Sequence, residues 1–346
     1  MSGEASRGDP RSLLETMPKA ELHLHLEGAI PLDALWGMVQ RHGGSPGLES
    51  PDDLRRRFAY TDFAHFIDTW VWKLRFHSTY LDYEHMAEAV ATELARQSIR
   101  YAEVFVSPTD VRHHGLETGP LLLAVRRGLD RVPGVTVALV PDLVRDTGPE
   151  RAAVTLSEIL AVREEAGVVG ITIGGSEPSH PPGPFAPVYR RAREAGLHLT
   201  AHAGEAAGPA SVRSAIDHLG VERIGHGVRA VEDPDLLAEI VARRLPLEVC
   251  PTSNVRTGVA RWDDHPVRTL IDAGAVVTIN TDDPVMFGCD LAGEYESLMS
   301  YLGYGWGAVM RLARATIEAS WADRSVVDGL LAELDDWRAR HLPGLS

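Results

Sequence analysis

Two histidines, His23 and His25, are separated by one leucine in the short run AELHLHL. Side chains alternate between the faces of a β-strand, so both imidazoles face one side while Leu22, Leu24 and Leu26 face the other. Zn–N bonds are about 2.0–2.1 Å long, and two imidazoles on adjacent inward positions of a strand can supply half of a zinc site. Taken alone the pair is weak evidence, because a hydrogen-bonded polar pair gives the same pattern.

Polar residues that can complete such a site follow other apolar runs along the chain. His202 and Glu205 stand in the segment HAGE, His226 lies between two glycines, and the segment NTDDP contains Asp282 and Asp283. Together with His23 and His25, His202 and Asp282 can form a zinc coordination sphere of three histidines and one carboxylate. Such a sphere leaves a coordination position open, as expected of a catalytic rather than a structural metal.

The apolar runs are rich in β-formers, and each is followed by a polar loop and then by a stretch with helical periodicity. Eight such units predict a closed (β/α)8 TIM barrel rather than an open doubly wound sheet. The polar residues above would then meet at the carboxyl ends of the strands, where barrel active sites lie. No glycine-rich phosphate-binding fingerprint follows any run. The predicted strands are 20–26, 101–106, 135–140, 168–173, 197–202, 223–226, 247–250 and 275–282.

The first two predicted strands are separated by residues 27–100, far more than the 2–6 residues usual for a βα loop. We therefore predict a helical insertion after strand 1, with helices at 31–41, 63–76 and 83–97. The middle helix is hypothesised to form a partial lid, the alternative being an ordinary helix packed on the barrel wall. Its aromatic residues are Phe63, Phe66, Trp70, Trp72 and Phe76.

Two C-terminal helices, at 306–318 and 323–338, are predicted after the eighth strand and should be structural. Residues 1–16 are expected to form an N-terminal tail, and residues 17–346 a single metal-dependent (β/α)8 domain. The first residues are polar and lack the apolar segment of a secretory signal, so a cytoplasmic location is expected.

Composition narrows the range of partners. The 346 residues carry 34 Lys+Arg against 49 Asp+Glu, a net charge of −15 at pH 7. With no basic patch, nucleic acid is not an expected partner, and a neutral or weakly charged small molecule is favoured as substrate. No apolar run approaches the roughly 20 residues that span a bilayer, and two cysteines do not make a disulfide framework. The oligomeric state stays open.

Five ordered motifs make this sequence resemble the adenosine deaminase family over nearly its whole length. They are HLHLEG at 23–28, HAGEAAGP at 202–209, RIGHGV at 223–228, CPTSN at 250–254 and NTDDP at 280–284. The resemblance implies a barrel aminohydrolase with one zinc ion per chain and a purine-like substrate. It also implies zinc ligands His23, His25, His202 and Asp282, catalytic residues Glu205, His226 and Asp283, and substrate contacts from His25, Glu27, Gly175 and Asp283.

The roles of three residues follow from the chemistry of replacing an amino group on an aromatic ring. Such a ring resists addition unless its neighbouring nitrogen is protonated, so Glu205 is expected to donate a proton there. Zinc lowers the pKa of water toward about 7 and so makes hydroxide available. His226 is expected to orient and deprotonate the water, and Asp283 to hold the nucleophile and accept a hydrogen bond from the substrate.

The resemblance predicts deamination of adenosine or 2′-deoxyadenosine to the inosine product and ammonia, with adenine or a modified adenosine as alternative substrates. Glu27 stands where many adenosine deaminases carry aspartate near the ribose 5′-hydroxyl, and it resembles the adenine deaminase branch. The segment ITIGGSE departs from the family's IDLAGDE at Thr172 and Ser176. By contrast, RIGHGV and HAGEAAGP resemble the nucleoside branch.

Rival classes are less well supported. Binuclear amidohydrolases generally bridge two metals with a lysine on the fourth strand, but the only lysines here are Lys19 and Lys73. The H-x-E and P-C-x-x-C signature of the cytidine deaminase type is absent. A metal-free binding module on the same fold predicts a broken site, whereas all expected ligands and catalytic partners are present.

Overall fold

Parallel strands form a ring in the computed structural model, which describes residues 9–60 and 63–345. Within these residues the strands are β1 Lys19–His25, β2 Ile99–Val106, β3 Thr136–Pro141, β4 Gly170–Ile171, β5 His198–Leu199, β6 His202–Ala203, β7 Ile224–His226, β8 Leu247–Val249 and β9 Val277–Ile279. The ladders run in the orders β1-β2-β3, β4-β5 and β6-β7-β8-β9, and every paired strand is parallel to its neighbour.

Short bridges connect these ladders into a barrel. A bridge between Leu139 and Val168 joins β3 to the fourth barrel position, and one between Leu24 and Asp282 joins β1 to the chain leaving β9. The backbone amide of His202 in β6 donates to the carbonyl of Ile173, two residues after β4, at 3.1 Å. The predicted (β/α)8 barrel is confirmed, with its fifth strand interrupted between β5 and β6.

Several ladders end before the predicted strands do. His226 and Asp282 adopt φ angles of 61° and 65°, in the left-handed region that side chains other than glycine rarely occupy. Each such residue costs about 1–3 kcal/mol and persists only because the surrounding structure holds it there. The chain therefore leaves the ladder at the carboxyl ends of β7 and β9, at the two positions predicted to carry site residues.

Helices surround the barrel, and polar side chains fix where two of them begin. Thr79 and Asp82 form a capping box ahead of α6, and Ser50 and Asp53 form one ahead of α4. No helix among the described residues is long and apolar enough to cross a membrane. The helices are α1 Pro10–Thr16, α2 Leu26–Ala29, α3 Leu32–Arg41, α4 Pro51–Arg57, α5 Phe63–Leu74, α6 Tyr80–Arg96, α7 Thr118–Leu129, α8 Gly148–Leu160, α9 Arg163–Ala166, α10 Ala186–Glu194, α11 Pro209–Ser214, α12 Pro234–Arg243, α13 Pro251–Arg256, α14 Val267–Asp272, α15 Pro284–Phe287, α16 Leu291–Leu302, α17 Trp306–Ala319 and α18 Arg324–His341.

The predicted insertion after strand 1 is present as α2 to α6, and the two predicted C-terminal helices are α17 and α18. Residues 10–16, assigned from the sequence to an N-terminal tail, form α1, whose Leu14 is fully buried. Arg11 on this helix donates from Nη2 to Oδ2 of Asp290 at 2.5 Å. Residues 1–8 of that tail lie outside the described residues.

The aromatic side chains of α5 differ in their surroundings. Trp72 is buried and donates from Nε1 to Oγ of Ser45 at 3.1 Å, so it packs within the insertion. Trp70 is half-buried, and its ring lies 3.7 Å from Nζ of Lys73. The side chains of Phe63 and Phe66 lie outside the described residues. Of the two tryptophans, Trp70 is the one suited to a lid.

The lid hypothesis predicts different effects for the two tryptophans. Trp70→Ala is expected to raise KM several-fold with little loss of stability, because contacts with the substrate would be removed. Trp72→Ala should lower the free energy of unfolding by about 3–5 kcal/mol, as expected for a buried tryptophan. Steady-state kinetics and urea unfolding measure the two effects, and an unchanged KM in Trp70→Ala would contradict a lid.

Candidate active site

Donor atoms of His23, His25, His202 and Asp282 converge at the carboxyl ends of β1, β6 and β9. Nε2 of His25 lies 3.2 Å from Nε2 of His202 and 3.3 Å from Oδ1 of Asp282, and Nε2 of His23 lies 3.5 Å from the same oxygen. All four donors lie within 4.8 Å of one another. Ligand atoms 2.0–2.1 Å from one zinc ion lie about 3–4 Å apart, so this set fits one small cation.

Further hydrogen bonds orient these ligands. Nδ1 of His23 lies 2.9 Å from Oε2 of Glu248, and Oγ of Ser253 donates to Oδ2 of Asp282 at 2.7 Å. Nε2 of His23 is buried and has no hydrogen-bond partner within the described part of the chain. A buried polar atom without a partner is costly, and coordination to a metal would remove that cost. The environment of His23 therefore fits a metal ligand.

His226 and Glu205 lie beside the ligand cluster. Nε2 of His226 lies 3.5 Å from Oε2 of Glu205 and 3.8 Å from Oδ2 of Asp282. The side-chain amide nitrogen of Asn254 lies 3.2 Å from Nδ1 of the same histidine. The structure thus brings two predicted catalytic groups to the edge of the predicted metal site, and it adds Asn254 from the CPTSN motif as a partner of His226.

Asp283 and Glu27 each present a buried carboxylate oxygen that has no partner among the described residues. A Cβ on Gly28 would overlap Oδ1 of Asp283, so glycine is required at this point of the HLHLEG motif. Oε1 of Glu27 accepts from the amide of Ser107 at 3.1 Å and lies 3.5 Å from the hydroxyl of Tyr83, whereas Oε2 is the unpaired atom.

The departures from the family pattern in ITIGGSE have structural partners. Gly175 has a φ of 96°, and a Cβ there would overlap Oδ2 of Asp146. The amide of Ser176 donates to the same oxygen at 2.8 Å. Oγ1 of Thr172 lies 3.3 Å from Nδ1 of His202 and so contacts a predicted zinc ligand. Both replaced positions are therefore part of the structure around the site.

The protonation of the site follows from burial and neighbouring charges. Burial raises the pKa of Glu205, with Asp282 adding to the shift and His226 opposing it. Burial also lowers the pKa of His25 to about 4. Burial alone would lower the pKa of His23, but the neighbouring carboxylates of Asp282 and Glu248 raise it to about 10, so metal binding there must displace a proton.

A family model described as adenosine deaminase matches residues 18–337. The chain belongs to the adenosine deaminase family. Aminodeoxyfutalosine deaminase of Streptomyces avermitilis is 37% identical over 340 residues, covering 96% of this chain and 95% of that protein. Among solved structures, adenine deaminase from Arthrobacter aurescens is 32% identical with a TM-score of 0.85, covering 93% and 99%. An amidohydrolase from Burkholderia ambifaria with bound zinc is 26% identical with a TM-score of 0.87, covering 99% and 96%.

These matches confirm that this member of the adenosine deaminase family is an aminohydrolase. The bound zinc in the similar amidohydrolase and the His/Asp site of this chain together confirm the predicted cofactor. The names of the relatives fit adenine or a modified adenosine, the alternative prediction, better than adenosine itself. The catalytic and substrate-binding roles of individual residues are still predictions.

Glu177, the last residue of ITIGGSE, was not among the predicted site residues. Its carboxylate accepts from four consecutive amides of the HAGEAAGP loop, those of Gly204 at 2.5 Å, Glu205 at 3.2 Å, and Ala206 and Ala207 both at 2.8 Å. Glu177 is buried, so it fixes the loop that carries the predicted acid. In the sequence, a glutamate shortly after two glycines does not indicate such a role, because the loop that it binds lies about 27 residues further along the chain.

Arg145 was also missed, although the segment DLVRD follows the third strand. Its buried guanidinium donates to the carbonyls of Gly174 at 3.2 Å, His180 at 3.1 Å, Ile173 at 3.1 Å and His202 at 2.5 Å. These carbonyls belong to the chain beyond β4 and to β6. Arg145 therefore holds together the two segments that carry a predicted substrate contact and a predicted ligand.

Loss of the metal should be detectable without substrate. The purified protein is expected to contain one zinc per chain by inductively coupled plasma mass spectrometry, and chelation should lower Tm, because bound ligands stabilise the folded state. Zinc affinity should fall as pH falls, since protons compete at His23.

The substitution His202→Ala should remove the zinc, and His218→Ala, at an exposed histidine, serves as the control. Equal zinc content in both variants would contradict the ligand assignment.

Removal of the Glu177 charge should act through the Glu205 loop. Glu177→Gln replaces one acceptor oxygen by an amide donor that faces backbone N–H groups, and each unsatisfied buried group costs about 1–3 kcal/mol. We expect a lower kcat and a lower Tm with zinc content unchanged. The exposed Glu165→Gln serves as control. Kinetics equal to those of the unmodified protein would show that Glu177 does not position the loop.

Proposed function

We propose that this chain catalyses the hydrolytic deamination of a 6-aminopurine, with adenine as the preferred substrate and hypoxanthine and ammonia as products. The single observation that carries the proposal is the state of Glu27. It is 1% exposed, and its Oε2 is buried without a hydrogen-bond partner among the described residues. The position matches the family motif that lies near the ribose 5′-hydroxyl when a nucleoside is bound.

Two properties of Glu27 favour the free base. Glutamate is one methylene longer than aspartate, and its contacts with Ser107 and Tyr83 hold the side chain in place, which reduces the room for a sugar. The unpaired oxygen is an acceptor, and the imidazole edge of adenine carries an N–H that N9-substituted nucleosides lack. A buried acceptor that pairs with one ligand and not with another is a strong source of specificity.

A modified adenosine is the second candidate. The 37% identity to aminodeoxyfutalosine deaminase supports it, as do the nucleoside-like motifs RIGHGV and HAGEAAGP. Lys73 also favours a polar substituent on the substrate. Its buried ammonium donates to the carbonyl of Glu27 at 2.6 Å and so lies close to the position that would face the sugar.

The proposed chemistry assigns each polar group one task. The zinc, when bound, makes hydroxide available at neutral pH. Glu205, whose raised pKa favours the protonated form, donates to the ring nitrogen beside the reacting carbon, which allows oxygen to add there. Asp283 accepts a hydrogen bond from the substrate. The carbon–nitrogen bond then breaks, and the amino group leaves as ammonia with the proton that His226 took from water. The added hydroxyl becomes the carbonyl as its own proton returns to Glu205.

Asn254 bears on the part played by His226. Its Oδ1 is buried without a partner among the described residues, while Nδ2 faces Nδ1 of His226. If the side-chain amide of Asn254 is flipped, its Oδ1 would accept a hydrogen bond from Nδ1–H of His226. Nε2 of His226 would then be free to take a proton. That arrangement satisfies the unpaired oxygen and suits a histidine that accepts the proton of the nucleophile.

A continuous ultraviolet assay of the zinc-quantified protein tests the substrate. The panel contains adenine, adenosine, 2′-deoxyadenosine and adenosines modified at the 5′ position or at N6. We expect kcat/KM to be highest for adenine, and Glu27→Asp should shift the preference toward nucleosides. Preferred turnover of a 5′-modified adenosine would replace adenine by the second candidate, and zinc-loaded protein inert to the whole panel would refute 6-aminopurine deamination.

Glu205→Gln tests the acid. Glutamine cannot donate a carboxyl proton, so kcat should fall about 10²–10⁴-fold, the usual contribution of general acid catalysis, with zinc retained. In the unmodified protein, activity should decline as pH rises through the elevated pKa of Glu205, because the proton to be donated is lost. The variant should lack that alkaline limb. A variant that keeps full activity and the same pH profile would exclude Glu205 as the acid.

A further inference from the structure

The arginine that opens the RIGHGV motif has no part in the chemistry proposed above. Arg223 is 1% exposed and lies just before β7, at the opposite end of the strand from His226. Its Nε donates to Oε1 of Glu248 at 2.6 Å, and its Nη2 donates to Oε2 of Glu103. Both carboxylates are fully buried inside the barrel. One guanidinium thus joins two buried acids.

The same contacts continue to the metal site. Glu248 uses Oε1 for Arg223 and for the hydroxyl of Thr200 at 3.2 Å, and it uses Oε2 for Nδ1 of His23 at 2.9 Å. An unbroken chain of hydrogen bonds therefore runs from Glu103 through Arg223 and Glu248 to a predicted zinc ligand.

The other end of this chain is anchored at the amino ends of the strands. Oε1 of Glu103 accepts from the backbone amide of Trp321 at 2.6 Å and from the hydroxyl of Tyr101 at 3.1 Å. The guanidinium carbon of Arg223 lies 3.4 Å from the centre of the Trp321 ring, and its Nη1 donates to the carbonyl of Ala319 at 2.9 Å. Apart from Glu248, the groups that hold Arg223 lie away from the predicted zinc ligands.

Stability alone does not account for this arrangement. Buried ion pairs are often no more stabilising than apolar residues of similar volume, and a barrel interior is commonly filled with branched apolar side chains. What the charged network adds is a fixed direction for Glu248. A metal-bound histidine is normally oriented by a carboxylate that accepts from its second ring nitrogen, and these outer partners affect metal affinity.

We propose that Arg223 and Glu103 are positioning residues of the zinc site, which act on His23 through Glu248. Arg223 holds one oxygen of Glu248 so that the other faces Nδ1 of His23. The histidine ring is thereby fixed with Nε2 on the side of Oδ1 of Asp282, where the four predicted ligands would hold the zinc. The barrel interior below the site thus controls how tightly zinc is held. This inference depends on the metal site and not on the identity of the substrate.

Zinc affinity measured by competition with a chromophoric chelator tests the proposal directly. Arg223→Lys keeps the positive charge but loses the guanidinium that binds Glu248 and Glu103 at the same time. Glu103→Gln keeps the shape of the side chain but removes its negative charge. Both variants should bind zinc more weakly, with Arg223→Lys in the range of about 10–100-fold typical of outer-shell changes. The control is Arg127→Lys, which alters a partly exposed ion pair with Glu84 on the outside of the barrel.

Cobalt substitution separates positioning from a general loss of stability. The visible absorption bands of bound Co²⁺ report ligand geometry, so both variants should shift them, whereas Arg127→Lys should leave them unchanged. If Arg223→Lys fails to fold, Glu103→Gln decides the question. Folded variants with unaltered zinc affinity and an unaltered cobalt spectrum would overturn the proposal. Zinc-loaded protein that deaminates no 6-aminopurine would refute the proposed function and leave this inference standing.

Discussion

Two backbone hydrogen bonds between the first and last strand positions determine much of this structure. The amide of His25 donates to the carbonyl of Asp282 at 2.8 Å, and the amide of Asp282 donates to the carbonyl of His23 at 3.0 Å. They close the barrel, and they also bring three of the four predicted zinc ligands to one point. Closure of the barrel and the approach of these three ligands therefore depend on the same two hydrogen bonds.

Once these two hydrogen bonds have formed, the charged side chains buried in and around the barrel need partners. The described part of the chain has few buried cations for that purpose. Among the described residues, Arg145 donates to backbone carbonyls, Arg223 donates to two carboxylates, and Lys73 donates to the carbonyl of Glu27. None of the three forms an ion pair with Glu205, so the pKa of this acid stays raised by burial. A cation in direct contact would lower that pKa and favour loss of the proton that deamination needs.

The sequence was sufficient for the parts of the site that follow from strand periodicity. Alternation places His23 and His25 on one face, and the carboxyl ends of parallel strands share one face of a barrel, so candidate ligands could be named without coordinates. The choice of the full set also depended on the resemblance to the adenosine deaminase family. Glu177 and Glu248 could not be predicted, because their roles depend on which loops and strands become neighbours. The interrupted fifth strand and the left-handed backbone at Asp282 were likewise invisible, since neither carries a composition signal.

The predicted zinc ligands and the residues proposed to determine specificity lie in different parts of this fold. The zinc ligands lie on or directly after barrel strands, where hydrogen-bond ladders hold them rigidly, whereas Glu27, Lys73 and Tyr83 belong to α2, α5 and α6 of the insertion. The orientation of Glu27 therefore depends on how these helices pack on each other, and a small repacking would alter the room near the purine without moving a ligand. Under the proposed function, the substrate preference could therefore change by substitutions in the insertion while the predicted zinc ligands stay in place.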